Sequence, residues 1–97
     1  MMPSFQPGQS LTVHTASTVL AAGLQAIATG QTVFDLSGIT ELDSAAVATL
    51  LTWQRAAQAR GNTLAFTRLP ANLGSLMHLY GVAELLLPAE KADFRHH

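Results

Sequence analysis

The chain has 97 residues, of which 48% are hydrophobic and 11% charged, with a formal net charge of −1 and no cysteine. This length suits a single domain, and the composition excludes intrinsic disorder, disulfide frameworks and thiolate metal sites. A nearly neutral chain lacks the basic surface that attracts nucleic acid, and its apolar stretches are shorter than the ~20 residues of a membrane helix. We therefore expect neither nucleic-acid binding nor direct membrane insertion.

The first third of the chain predicts a β-hairpin followed by a helix. The turn dipeptide Pro7-Gly8 separates two short extended pieces, which we expect to pair with each other antiparallel. Thr15 or Ser17 then caps a helix that runs to about Thr29, and Gly30 lies where a glycine commonly ends a helix. The residues on its predicted apolar face are Leu20, Leu24 and Ile27.

The middle of the chain predicts a strand, a loop and a second helix. Residues 31–36 form a short apolar run, typical of a strand that is covered on both faces. Residues 37–42 are expected to form a loop, and Asp43 is a good N-cap for a helix over residues 44–60. Trp53 lies near the edge of its apolar face, and we assign this side chain to the core. The apolar face consists of Val47, Leu50, Leu51, Trp53 and Ala57.

The last third predicts a strand, a third helix and a final strand. Residues 63–67 alternate in polarity, and Pro70 begins a helix that Gly81 ends. Residues 84–88 indicate a last strand, and residues 89–97 form a polar tail whose His96-His97 pair is native or the start of a purification tag. The expected apolar face of the third helix is Leu73, Leu76, Met77 and Tyr80.

Together these elements predict one α/β domain over residues 1–97. Strands that alternate with helices favour right-handed parallel crossovers, and the opening hairpin adds antiparallel pairing. We therefore expect a small mixed β-sheet with helices packed mainly on one face.

Signatures of catalysis are scarce in this sequence. It contains no HExxH pair, no glycine-rich phosphate loop and no G-x-S-x-G elbow. His78 near a helix C-terminus is explained by the helix dipole, and no pattern brings it beside Ser44 and Asp43 to form a hydrolase triad. We therefore expect no enzymatic activity, no cofactor and no metal site.

One strand–loop–helix segment carries a distinctive sequence pattern. Asp35-Leu36-Ser37 ends the predicted strand, and Asp43-Ser44 opens the second helix. This pattern resembles the signature of STAS domains, the fold of bacterial anti-sigma factor antagonists and of sulfate-transporter tails. The resemblance implies the STAS fold over essentially the whole chain.

The resemblance implies two alternative functions. Residues 73–82, together with Ser44 and the small residues after it, are similar to the cytoplasmic STAS subunit of the Mla phospholipid ABC transporter of diderm bacteria. That likeness implies a non-catalytic subunit that regulates or stabilises the ATPase subunit, reaches the membrane permease only indirectly, and serves outer-membrane lipid asymmetry. Its location would be cytoplasmic and peripheral to the inner membrane through this partner.

The alternative is an anti-sigma factor antagonist that an anti-sigma factor kinase switches by phosphorylating Ser44. In that group Ser44 is the phospho-acceptor, but Ala45-Ala46 depart from the residues usual after it. A ligand-binding STAS module is a third option, for which the sequence offers no polar pocket.

The face of the second helix opposite its apolar residues is the predicted partner-binding surface. The STAS family docks through the start of this helix, although an alanine-rich face is also explained by helix propensity alone. We expect Asp43 to cap the helix and Asp35 to accept hydrogen bonds from the loop, so that both support the site. The predicted partner-binding residues are Ser44, Ala45, Ala48, Thr49, Thr52 and Arg55.

Overall fold

The computed structural model describes residues 4–82, so the predicted strand at 84–88 and the tail at 89–97 lie outside the described residues. Four short strands and three helices make up this part of the chain, which confirms the predicted α/β class. In chain order they are β1 (Ser10–Leu11), α1 (Ala16–Ala28), β2 (Val33–Asp35), β3 (Glu41–Leu42), α2 (Ser44–Ala59), β4 (Ala65–Thr67) and α3 (Ala71–Leu79).

The strands form two parallel pairs. β2 pairs with β4, which places Phe34 opposite Phe66, and β1 pairs with β3, which places Leu11 opposite Leu42. Phe5 adds a parallel bridge on the other side of β2: its N–H donates to the Val33 carbonyl oxygen, and its own carbonyl accepts from Asp35 N–H, both at 2.9 Å. The connection from β2 through α2 to β4 is therefore the parallel crossover that the alternating elements predict.

The predicted opening hairpin is wrong. The two extended pieces beside Pro7-Gly8 pair with different elements, Phe5 with β2 and β1 with β3, and both pairings are parallel. Gly8 has a φ of +105°, a conformation that glycine adopts without strain, and the chain turns there without folding back on itself. Residues 41–42, predicted as loop, form β3. The sequence does not indicate this strand, because two residues are too few to show strand alternation.

α2 is the central helix and packs against both α1 and α3. Its buried face carries Trp53, whose indole N–H donates to the Leu20 carbonyl oxygen at 3.0 Å and whose ring meets Phe34 edge-on at 5.1 Å between centroids. The prediction that Trp53 belongs to the core is therefore confirmed. The largest fully buried side chains are Leu11, Ile27, Phe34, Leu36, Leu50, Trp53, Leu64, Leu73 and Met77.

A buried amide fixes α2 to the start of β4. Gln54 donates from Nε2 to the Leu64 carbonyl oxygen at 3.2 Å, and its Oε1 accepts from the Leu64 N–H at 2.8 Å. The side chain thus pairs with the backbone of Leu64 as a neighbouring strand would. Both polar atoms of the buried amide are satisfied, which removes the cost of burying Gln54.

Two predicted core positions are exposed instead. Leu24 of α1 faces solvent, although Ile27 on the same predicted face is buried. Tyr80 is the C-cap residue of α3 and is 52% exposed, because the helix ends at Leu79 and the chain turns at Gly81. The face of α3 that enters the core is carried by Leu73 and Met77.

Candidate functional site

The start of α2 is held in place by the carboxylate of Asp43. Asp43 has an extended backbone, with φ −143° and ψ −166°, as is usual for a residue that precedes a helix. Its Oδ1 accepts the Ala45 N–H at 2.8 Å, and its Oδ2 accepts the Val13 N–H at 3.0 Å. One side chain therefore caps α2 and also ties the loop after β1 to the same point.

Ser44 follows this cap as the first residue of α2, and it is exposed. It lies at one end of a shallow groove of about 350 Å³ between α2 and the end of α3. Apart from the Ser44 hydroxyl and the Tyr80 phenol, the side chains that form the groove are apolar. The lining residues are Ser44, Val47, Ala48, Leu51, Tyr80 and Val82.

Two large exposed apolar side chains lie near this helix start. Tyr80 lines the groove, and Val13, 69% exposed, is held beside the cap by its N–H bond to Asp43. Exposed apolar side chains that cluster together mark interaction surfaces, whereas isolated ones are common on any protein. The surface around Ser44 therefore combines an apolar groove with the exposed side chains of Tyr80 and Val13.

Most of the predicted partner-binding residues are accessible. Ser44, Ala48, Thr52 and Arg55 are exposed, and Ala45 is partly buried. The Thr52 hydroxyl donates to the Ala48 carbonyl oxygen at 3.0 Å, which satisfies its donor within the helix.

Thr49 is the exception, because it is only 4% exposed and does not belong to the accessible surface. Its hydroxyl donates to the Ala45 carbonyl oxygen at 2.8 Å. Thr49 lies one turn before Trp53, which packs against Gly23 of α1. Helix α1 therefore covers a side of α2 that the sequence analysis assigned to the exposed surface. The sequence alone does not show that α2 is covered by a second helix as well as by the sheet.

Asp35 lies at the carboxyl end of β2, away from the groove residues. It is 8% exposed; its Oδ1 accepts the Ser37 N–H at 3.0 Å, and its Oδ2 accepts from the Gln6 side chain at 3.2 Å. Hydrogen bonds from Ser37, and then from Gln6, lower the pKa of Asp35 below its ordinary value, and the Arg68 guanidinium adds to this effect. Asp35 therefore supports the loop that leads to Asp43 as an ionised acceptor.

Sequence reasoning did not assign four of the groove residues to the site, nor Val13 beside the cap. The four are Val47 and Leu51, which were assigned to the core face of α2, and Tyr80 and Val82. Tyr80 was expected in the core because it continues the apolar spacing of α3. The glycine directly after it, Gly81, is the signal that the helix ends and that the tyrosine lies at its rim.

Within residues 4–82, no hydrogen bond joins Ser44 to a histidine. His78 lines a different groove on α3, together with Ala71, Gly74, Ser75 and Leu79, and His14 is exposed in the loop before α1. Among residues 4–82, no group of three or more histidine or acidic residues is placed to hold a metal ion. None of the helices in this part of the chain is long and apolar enough to cross a membrane.

Comparison with known families agrees with this architecture. A family model described as "Mlab, STAS domain" matches residues 9–88, which is most of the chain and includes all the elements described above. No curated protein matches the chain significantly. The matched region contains Asp35, the Asp43 cap and the groove beside Ser44, and the three helices with small parallel sheets have the arrangement expected of this fold. The chain therefore belongs to the STAS domain family, in the group described as Mlab.

Proposed function

We propose that this protein is a non-catalytic accessory subunit that binds the ATPase subunit of a phospholipid-transporting ABC complex. Docking takes place through the start of α2 and the adjoining groove. ATP hydrolysis belongs to the partner, and this chain stabilises the assembly or favours one conformation of the ATPase. Contact with the membrane permease is indirect, so the subunit resides at the cytoplasmic side of the inner membrane and contributes to outer-membrane lipid asymmetry.

The observation that carries this proposal is the apolar groove beside Ser44. A bound partner would cover Val13 and Tyr80, which are now exposed, and it would bury the small side chains of Ser44 and Ala48 at little cost in side-chain entropy. The description of the matched family supports the choice of partner. STAS domains are generally non-catalytic, which is consistent with a purely binding role.

A decisive test is the substitution of Ser44 by arginine. The long cation would block the groove entrance while leaving the buried face of α2 untouched. We expect Ser44→Arg to abolish co-purification with the ATPase subunit of the transporter from the same genome. Because Ser44 is exposed, the change in stability should stay within about 0.5 kcal/mol, or roughly 4 °C in Tm.

Ser17→Arg is the matched control, because Ser17 is also an exposed serine near a helix start, on α1. This variant should bind the ATPase as the wild-type protein does. If Ser44→Arg still co-purified with the ATPase at wild-type stoichiometry, docking through this surface would be wrong.

A second candidate function is that of an anti-sigma factor antagonist controlled by phosphorylation of Ser44. The exposed position of Ser44 in the first turn of α2 favours it, since a helix N-terminus stabilises a phosphate group. The neighbouring Asp43 carboxylate opposes a second negative charge at the same place. Intact-mass measurement of protein from its native host distinguishes the two: a phosphorylated fraction that disappears in Ser44→Ala would favour the switch.

A further inference from the structure

We propose that the segment that docks on this protein is an amphipathic helix of the ATPase partner. It places a large apolar side chain in the groove between α2 and the end of α3, and a carboxylate against Arg55. This inference rests on the proposed function and specifies the chemistry of the partner at the same site.

Four residues of α2 lie in one straight row, of which three are exposed and Leu51 is partly buried. Ser44, Ala48, Leu51 and Arg55 are spaced by four, three and four positions. At about 100° per residue, these positions fall within an arc of about 60° on the helix surface. At 1.5 Å rise per residue, Arg55 lies about 16 Å along the axis from Ser44. The row is therefore three turns long, which matches a short helix laid along it.

The half of the row that begins at Ser44 suits an apolar side chain. Ala48 is small, so the backbone of a partner helix can approach α2 closely. Leu51 and Val82 line the groove, and the exposed ring of Tyr80 forms part of its wall. Aromatic side chains of this kind frequently dominate binding energy when a partner covers them.

The other end of the row carries the positive charge of Arg55, for which residues 4–82 supply no ion-pair partner. Arg55 is the only charged residue of α2, and α3 contains no acidic residue. The one ion pair found among residues 4–82 joins Arg68 to Asp35, at the carboxyl end of β2. Because Arg55 is exposed, a carboxylate on the partner can pair with it at the rim of the interface, where charges govern specificity and the rate of association.

The same charge pattern argues against a second copy of this chain as the occupant. In two copies that met through α2 and α3, neither helix would offer a carboxylate to Arg55. The carboxylate next to the row belongs to the Asp43 cap, and its two oxygens already accept the Ala45 and Val13 N–H groups. A partner of different sequence can contact both ends of the row if its acidic residue lies about three turns from its apolar anchor. The anchor then enters the groove while the acidic residue pairs with Arg55.

The test measures the affinity of purified ATPase subunit for variants of the full chain at low and at high salt. Arg55→Glu and Tyr80→Ala should each weaken binding about tenfold or more, and Arg55→Glu should also reduce the salt dependence. Arg60→Glu is the matched control: Arg60 is an exposed cation at the C-cap of α2, outside the row, and its reversal should change binding less than threefold. Replacing the partner's carboxylate by lysine should restore binding to Arg55→Glu.

The outcomes separate the two proposals. If Ser44→Arg abolishes binding but Arg55→Glu and Tyr80→Ala bind as wild type does, the helix alignment is refuted and the docking surface stands. If the wild-type chain does not bind the ATPase at all, the proposed function fails, and this inference fails with it. If sedimentation shows a dimer that Ser44→Arg dissociates, a second copy occupies the groove and the proposed partner chemistry is refuted.

Discussion

Replacing Gly23 by alanine tests the packing that positions α2. Gly23 is buried in α1, directly against the indole ring of Trp53. A Cβ atom added there would overlap Cε2 and Nε1 of the ring and lie 2.5 Å from Cζ2. The indole cannot move aside easily, because its N–H is bonded to Leu20 and its faces and edges meet Phe34 and Phe5.

The expected magnitude follows from three contributions. Alanine is favoured over glycine inside a helix by about 1 kcal/mol. Overpacking a rigid core site costs about 1–3 kcal/mol, and here the upper end applies because the neighbour is a fixed aromatic ring. Displacement of the indole N–H from the Leu20 carbonyl adds about 1 kcal/mol. The net loss in the free energy of unfolding is therefore about 3 kcal/mol, which for a domain of this size lowers Tm by roughly 12–24 °C.

Thermal and urea unfolding, followed by the fluorescence of the single tryptophan, measure this effect directly. Gly74→Ala is the matched control, because Gly74 also lies inside a helix, α3, but a Cβ there meets no atom within 4 Å. That variant should gain up to about 1 kcal/mol. If Gly23→Ala proved as stable as Gly74→Ala, with unchanged tryptophan emission, the close contact between α1 and Trp53 would be refuted.

Two further predictions concern the carboxylates. Asp43→Ala removes the helix cap and the acceptor of the Val13 N–H, and should lower the free energy of unfolding by about 1–2 kcal/mol in urea titrations; an unchanged midpoint would contradict the capping role. Asp35→Asn should be less stable than wild type at about pH 7. The difference in stability should shrink as pH falls below about 4, because the fold stabilises the ionised form of Asp35, whose pKa is lowered in the folded state. A pH-independent difference would show that charge is not involved.

The sequence predicted α2 closely because local signals mark both of its ends. Asp43 is a capping residue, Gly61 provides the positive φ that follows the helix, and the observed bounds differ from the predicted ones by one residue. The same local signals placed Ser44 at the exposed start of the helix, which is where the groove lies. Caps and helical spacing depend on neighbours in the sequence, so they can be recognised without knowledge of the fold.

The features that the sequence did not predict arise from contacts between residues that are far apart in the chain. The partner of Phe5 is Phe34, which no rule about the Pro7-Gly8 turn can reveal. The burial of Thr49 and Gln54 requires knowing that α1 covers one side of α2 and that the Gln54 amide reaches Leu64. Projecting a single helix assigns polar side chains to its exposed face. This assignment fails for Thr49 and Gln54, whose buried polar atoms have hydrogen-bond partners within the protein.

We expect stability and docking to be separable in this protein, because the core and the proposed docking surface use different faces of α2. Trp53 and Gln54 fix the helix from its buried side, and none of their described contacts involves Ser44 or Ala48. A change on the exposed row can therefore abolish binding without unfolding the domain, whereas Gly23→Ala lowers stability while leaving the row intact. Asp43 is the point at which the two faces are coupled. Its carboxylate holds both the first turn of α2 and the Val13 backbone, so we expect its loss to weaken the fold and to displace Val13 beside the proposed docking surface.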